Sequence, residues 1–546
     1  MGDFSANYKI FKPLSFKVNL GYTNQGIDRN SYIKKSNPLG EGLGGYASVQ
    51  KLFDYSKLIE TTMNFNQQFG KSTVDAIAGY SYQYFREEGT RVTARGFLSD
   101  EFKWYSLQAA QVIESVSSFA GSNTLISMYG RVNYNYNDRY LITLTVRRDG
   151  SSRFGSGNKW GLFPSAAASW RISEEDFFKN RYVSNLKLRV SYGITGNQEI
   201  GNLNSITTLG ASTNGYLIGG SRITIVLQQQ YANPDLKWEQ TAQFDAGLDF
   251  GLFNEKIYGT IDYYRKKTSD LLLQIAVPSP SVVSTQICNV GSVENKGIEI
   301  ELGIKAIKQE DFSWNVDFNF SRNRNKVLSL SNDLFKSDNI QTAPLQGQGL
   351  SGIYAQLIMP GEPIGTFWGK KFTGIVGGVE QFEATETIIG CAQPHFTMGL
   401  GNTFEYKNWS LVFNFRSMVG NDVFNLTANN QGYLSNLPGR NVLVSAYTSG
   451  VTRDQAKKYS SRWIEDGSFV RLDNITLGYT FDLKKSSLSN ARLYITGQNL
   501  FLITGYSGVD PEVNSEISGT GVAPLGIDYL SYPRARTISI GANIAF

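Results

Sequence analysis

Few residues in this sequence carry chemistry of their own. His395 is the only histidine among 546 residues. A histidine-dependent triad could use no other residue, and no GxSxG nucleophile elbow accompanies it, so an enzyme is not expected. Gly347, Gly349 and Gly352 form GxGxxG, as do Gly40, Gly42 and Gly45. The dinucleotide fingerprint works by joining a strand to a helix N-terminus that holds pyrophosphate. Neither pattern falls at such a junction, and a chain with 55 glycines offers chance matches, so no cofactor is expected. Cys288 and Cys391 are too few and too far apart for a disulfide framework or a CxxC metal site. Asp510 and Glu512, in GVDPEVN, could ligate calcium, because hard cations accept loop carboxylates and carbonyls; the alternative is a solvated loop. Phe367, Trp368 and Tyr506 are loop aromatics able to stack on sugar rings, or to pack loop against loop or against a lid.

The elements that would position these residues read as strands. Aromatic residues make up 13% of the chain, with 30 Tyr, 33 Phe, 55 Gly and only 14 Pro, a composition favouring strands and turns. Fifty-two basic against 47 acidic residues give +5 without long basic runs, which lends nucleic acid no support as a partner. No stretch nears the roughly 18 consecutive apolar residues of a membrane helix. Period-2 alternation recurs instead. Phe312, Trp314, Val316, Phe318 and Phe320 alternate with Ser313, Asn315, Asp317, Asn319 and Ser321, and about seventeen segments fit the same template.

Connection lengths point to the solvent. Short turns near 137–139, 253–256, 308–311 and 406–408 alternate with long segments near 194–240, 268–296, 323–396, 419–468 and 500–536. The two classes are expected never to swap, as in membrane barrels with short periplasmic turns and long extracellular loops. That phase puts the C-terminus in the periplasm. Trp160 and Trp170 bracket one strand, and ten residues at about 3.3 Å, tilted about 40°, span roughly 25 Å, the height of a lipid-facing band between aromatic girdles. Trp314 and Trp409 each follow a short turn and suit the periplasmic girdle. The expectation is an all-β, transmembrane antiparallel β-barrel in the outer membrane, in contact with its lipids.

Nine segments, in order along most of the chain, resemble the SusC/RagA family of TonB-dependent transporters. They include RRDGSSRFGSGNKWGLFPSAAASWRISEEDFF from Arg147, NPDLKWEQTAQFDAGLDFGLFNEKIYGTIDYYRKKTSDLL from Asn233, GEPIGTFWGKKFTGI from Gly361, GQNLFLITGYSGVDPE from Gly497 and YPRARTISIGANIAF from Tyr532. The resemblance implies a barrel of about 22 strands that takes up oligosaccharides or peptides across the outer membrane of Bacteroidetes-type bacteria. It also implies a SusD-like surface lipoprotein as lid, and energy from TonB acting on an N-terminal plug. The final strand, with Ile540 and Ile544 and closing on Phe546, resembles the signal read by the barrel-assembly machinery. The sequence departs from the family in showing no TonB box, plug domain or N-terminal extension, and about 17 strands. Residues 1–546 are therefore expected to be a partial C-terminal barrel, not transport-competent alone, whose start, including any signal peptide, lies upstream. A passive porin without TonB coupling is the alternative. Loop composition does not distinguish a glycan from a peptide as substrate.

Overall fold

The computed structural model describes residues 2–212, 217–223, 225–278, 280–332, 335–347, 349–482, 490–515 and 522–545. Seventeen strands form one antiparallel sheet in which each pairs with its neighbour in sequence. They are β1 Gly2–Phe11, β2 Leu14–Ile33, β3 Tyr46–Phe69, β4 Ser72–Phe97, β5 Ala110–Tyr136, β6 Tyr140–Ser151, β7 Trp160–Arg171, β8 Val183–Asn197 and β9 Glu239–Leu252. There follow β10 Ile257–Ser269, β11 Ser292–Lys308, β12 Phe312–Ser329, β13 Phe396–Tyr406, β14 Trp409–Val419, β15 Phe469–Asp482, β16 Asn490–Thr504 and β17 Thr537–Ala545. Among the described residues β1 pairs only with β2, and β17 only with β16. Among the described residues no helix is long and apolar enough to cross a membrane.

Alternation sorts the side chains onto two faces, since successive residues of a strand point oppositely. One face is apolar yet open: Leu144, Val190, Ile261 and Leu493 are 54, 46, 41 and 49% exposed, as a lipid-facing surface requires. The other face is ionic. Arg189 reaches across three strands to Asp249 at 2.7 Å and Asp262 at 2.9 Å. Gly247 stands between Arg189 and Asp262, where a Cβ would collide with both side chains. Tyr129 donates to Glu60 at 2.9 Å, and Asn133 to Asp75 at 3.1 Å.

Connections alternate as expected, with one exception. Turns 12–13, 70–71, 137–139, 253–256, 309–311 and 407–408 hold two to four residues, and the opposite end carries connections of up to 66. Asn137 and Asp138 both take positive φ, 52° and 55°, the left-handed geometry that matches strand twist in tight hairpins. The exception is 172–182, eleven residues on the short side, longer than the eight of 152–159 opposite. Side-chain bonds hold that longer connection down: Glu175 accepts from Trp170 Nε1 at 2.9 Å and pairs with Arg139, from a different turn, at 3.1 Å.

Two features go beyond a ten-residue strand template. Strands β2 to β5 run 20 to 27 residues, twice what the apolar band needs, so they rise past it as a wall on the long-loop side. In β7, Pro164 has no N–H to donate, and pairing to β8 begins only at Ser165. Beyond it Phe154 and Phe163 pack on Trp238, with ring centroids 5.0 and 5.4 Å apart.

Candidate functional site

The three longest of the later connections, 330–395, 420–468 and 505–536, fold on one another instead of lying as separate loops. A four-stranded sheet, Ile340–Pro344, Tyr354–Ile358, Thr366–Val376 and Val379–Cys391, forms the first layer. A second sheet joins Asp422–Asn425, Ile464–Asp466 and Ile527–Asp528, drawing one strand or more from each of the other two connections. Phe367, Phe424, Leu350 and Ile527, each fully buried, share one apolar core with Tyr433, Tyr459 and Trp463. Polar groups lock the layers together. Gln356 donates to the Leu525 carbonyl at 2.6 Å, and Glu380 accepts from Tyr433 at 2.8 Å and Arg462 at 2.6 Å. Burial, then Glu380, pushes the Tyr433 phenol well above its usual range. Burial, then Arg440, lowers Lys457. This interior thus favours neutral groups.

One cleft of about 610 Å³ opens into the assembly, within the size range of ligand sites. Trp368 lines it half-buried, its Nε1 donating to Glu386 at 3.2 Å. Across from it the Lys458 ammonium lies 5.3 Å from the Phe382 ring centre. Tyr354 and Lys370 also border the space. Aromatic faces beside a carboxylate and two ammonium groups can hold a ligand that is apolar on its flat faces and polar at its rim, as sugars and peptides both are. Sequence reasoning reached Trp368 alone. Val376-Gly377-Gly378-Val379, with both glycines at positive φ, is a hairpin signal that would have brought Phe382 and Glu386 to the same sheet.

Two of the three expected aromatics are unavailable to a ligand. Phe367 is 0% exposed in the shared core, and Tyr506 is 5% exposed with its hydroxyl donating to Asp528 at 2.7 Å. Each packs loop against loop. Asp510 and Glu512 lie on no solvated loop either, Asp510 being 4% exposed. Asp510 pairs with Arg471 at 2.6 Å, and Glu512 with Arg416 at 2.5 Å and Arg534 at 2.8 Å. Three guanidinium groups occupy the directions from which a cation would be bound. The cluster fastens the last long connection to β14 and β15. Among the described residues, no three His, Cys, Asp or Glu side chains are grouped to hold a metal.

His395 covers Gly420, where an added Cβ would meet the imidazole. Gly347, Gly349 and Gly352 all take positive φ in a loop, and Gly40 belongs to a four-residue helix, Pro38–Glu41. Both cysteines are free. Trp160, Trp170, Trp314 and Trp409 share the apolar face. At the short-turn end Trp170 stacks on Tyr140 at 6.4 Å, Trp314 on Phe404 at 5.3 Å, and Trp409 meets Tyr479 edge-on at 4.8 Å. Ile540 and Ile544 are exposed on β17; Phe546 lies outside the described residues.

An antiparallel sheet with an apolar outer face, an ionic inner face and its large loops gathered at one end defines an outer-membrane β-barrel of the receptor type. The family model "TonB dependent receptor-like, beta-barrel" matches residues 2–500, and the chain belongs to that family. TonB-dependent receptor P3 of Formosa agariphila is 35% identical, aligned with 100% of this chain and 58% of its own length. TonB-dependent receptor SusC of Bacteroides thetaiotaomicron is 32% identical, with 93% and 52% covered. The RagAB peptide transporter structure shares the fold at a TM-score of 0.83 and 24% identity, over 100% of this chain and 61% of that one. The chain thus spans between 52 and 58% of these curated relatives.

Proposed function

We propose that these residues are the C-terminal barrel portion of a longer outer-membrane transporter that imports a nutrient, an oligosaccharide or a peptide, with energy from TonB through a plug outside this chain. The observation that carries the reading is the coincidence of family membership with a ligand-sized cleft in loops that stand over an ionic channel face. The long connections face outward and β17 ends in the periplasm, a reading that the phase of short and long connections supports. The four Trp residues sit at the two membrane borders, and Ile540, Ile544 and Phe546 belong to the assembly signal. A SusD-like lipoprotein covers the loop end. The naming of the relatives as SusC and RagAB supports that partner. Trp368 contacts the substrate. The one-sided pairing of β1 and β17 supports upstream strands that close the barrel, because in hydrocarbon each unpaired backbone group costs several kcal/mol.

The experiment is uptake by cells carrying the full-length gene, its deletion, or a copy without its TonB-binding segment. Growth on glycan and peptide mixtures should fail in the last two strains. Uptake that survives loss of the proton gradient would make the protein a passive porin, and normal growth of the deletion strain on every nutrient would end the import reading.

A further inference from the structure

The apolar face is not evenly bulky. Register places Met63, Ala78, Gly130, Val146 and Pro164 in one row across five strands. Phe65, Ala76, Val132, Leu144 and Ala166 form the next row toward the short turns, which Tyr192 of β8 extends. Ala78 and Gly130 in the first row, and Ala76 and Ala166 in the second, stand beside larger neighbours and leave a groove of about 740 Å³ whose lining is almost wholly apolar. Large side chains return one row higher: Tyr80, Met128, Arg148 and Leu162. The groove therefore has a closed upper rim, and that rim carries a cation. Arg148 lies two residues, about 6.6 Å, above Val146. Its guanidinium sits 4.9 Å from the ring centre of Trp160, which is 43% exposed. Among the described residues Arg148 has no carboxylate partner, whereas Arg147 beside it, on the ionic face, holds Asp149 at 2.8 Å.

We infer that this groove is a lipid-binding site, taking acyl chains of lipid A from the outer leaflet with a lipid phosphate on Arg148. Three observations converge on an anionic acylated ligand. The groove lies at the depth where only hydrocarbon can fill it, since water finds no partners on an apolar wall. It is centred between the rows of Trp160 and Trp170, and the cation stands on its long-loop side, at Trp160, and not on the side of the short turns. The cation is raised on an aromatic ring, the arrangement by which membrane proteins hold a charge at headgroup level. A guanidinium on an oxyanion gains two parallel charge-assisted bonds, which a neutral headgroup does not offer. The choice of lipid A over an inner-leaflet phospholipid rests on the outward orientation of the long connections proposed above.

The test uses the full-length protein, extracted in mild detergent and placed in nanodiscs containing lipid A or its dephosphorylated form, with retained lipid counted by native mass spectrometry. The unaltered protein should retain lipid A through delipidation. Ala78→Phe and Ala166→Phe, which fill the groove floor, should lower retention at least tenfold; Leu493→Phe, on a distant part of the same face, should not. Arg148→Gln should leave the chains bound and erase the preference for the phosphorylated form. Quenching of Trp160 by brominated chains reports the same site in Arg148→Gln if the filled variants fail to insert. Equal retention in all variants, or equal loss in Leu493→Phe, overturns the site. So does a doubled mass without lipid that reverts to monomer in Ala166→Phe, since a second copy would then be the occupant. Selective retention of a phospholipid over lipid A would keep the groove and overturn the orientation, which the position of a C-terminal tag reads separately.

Discussion

Asp510→Asn should release the last long connection from the barrel wall. Asp510 and Arg471 are 6 and 2% exposed at their side chains and 2.6 Å apart, so the pair cannot exchange its partner for water while folded. Removing one member of a buried pair leaves the other charge uncompensated, at about 3–5 kcal/mol. Two features place this site at the lower end of that range. Glu512 lies 3.7 Å from Arg471 and can take part of the charge, and Asn499 keeps its bond to the guanidinium at 2.6 Å. Arg471 Nε is already without a partner, so the variant adds to an existing deficit. A cost of about 3 kcal/mol corresponds to roughly a hundredfold rise in local opening, at about 1.4 kcal/mol per factor of ten. Hydrogen exchange at 505–515 and 522–528, measured on the full-length protein, reads that rise directly. Arg471→Met combined with Asp510→Leu should recover most of the loss, because replacing both charges by apolar groups removes the desolvation cost as well. A rise under tenfold in Asp510→Asn, or a double variant more open than the single one, would refute the role assigned to the pair.

The adjacent aromatics Phe367 and Trp368 should behave oppositely. Phe367→Ala leaves a cavity in the shared core and should cost about 3–5 kcal/mol, seen as faster proteolysis of the loop assembly. Trp368→Ala should leave proteolysis unchanged and weaken substrate binding by about tenfold, read by calorimetry with the nutrient identified from growth. Asp422 gives a pH dependence. Burial raises its pKa above the usual carboxylate value, with Asp466 adding to the rise and the Cys391 N–H opposing it. A raised folded-state pKa favours the protonated form, so its stabilising contribution is complete below the unfolded value of about 3.9 and is lost as pH rises through the folded one. Protection of amides 422–425, corrected for intrinsic exchange, should therefore fall from pH 4 to 7. Asp422→Asn keeps an acceptor for the Cys391 N–H and should flatten that dependence; an unchanged slope would show that another group titrates.

The barrel and the loops differ in how far the sequence exposes them. A strand between lipid and a wet interior is pressed by two different solvents at a period of two residues, and the alternation of Phe312 to Ser321 records both directly. Turn lengths carry over in the same way, because a hairpin of two to four residues has room for little besides its turn chemistry. Connection 172–182 escapes because its length is held by Trp170, Arg139 and Glu175, whose bonds are tertiary. The excess length of β2 to β5 escapes too: beyond the bilayer, alternation continues without a marker of where hydrocarbon ends.

No comparable filter acts on the loop assembly, where water surrounds every face and burial is decided by which distant segment arrives. Phe367 and Trp368 are neighbours of the same chemical kind, and only the arrival of Phe424 and Ile527 on one side of the strand makes the first a core residue and leaves the second lining a cleft. Asp510 and Glu512 show the same limit for charge. Their partners Arg416, Arg471 and Arg534 come from β14, β15 and the end of their own connection, and carboxylates that look ready for a cation in sequence are already neutralised in space. In this loop assembly, the residues that hold the layers together and those that line the cleft are drawn from one pool of aromatic and charged side chains. Packing alone divides them, so under the proposed import function the cleft, and not the composition of its loops, is where a ligand is to be sought.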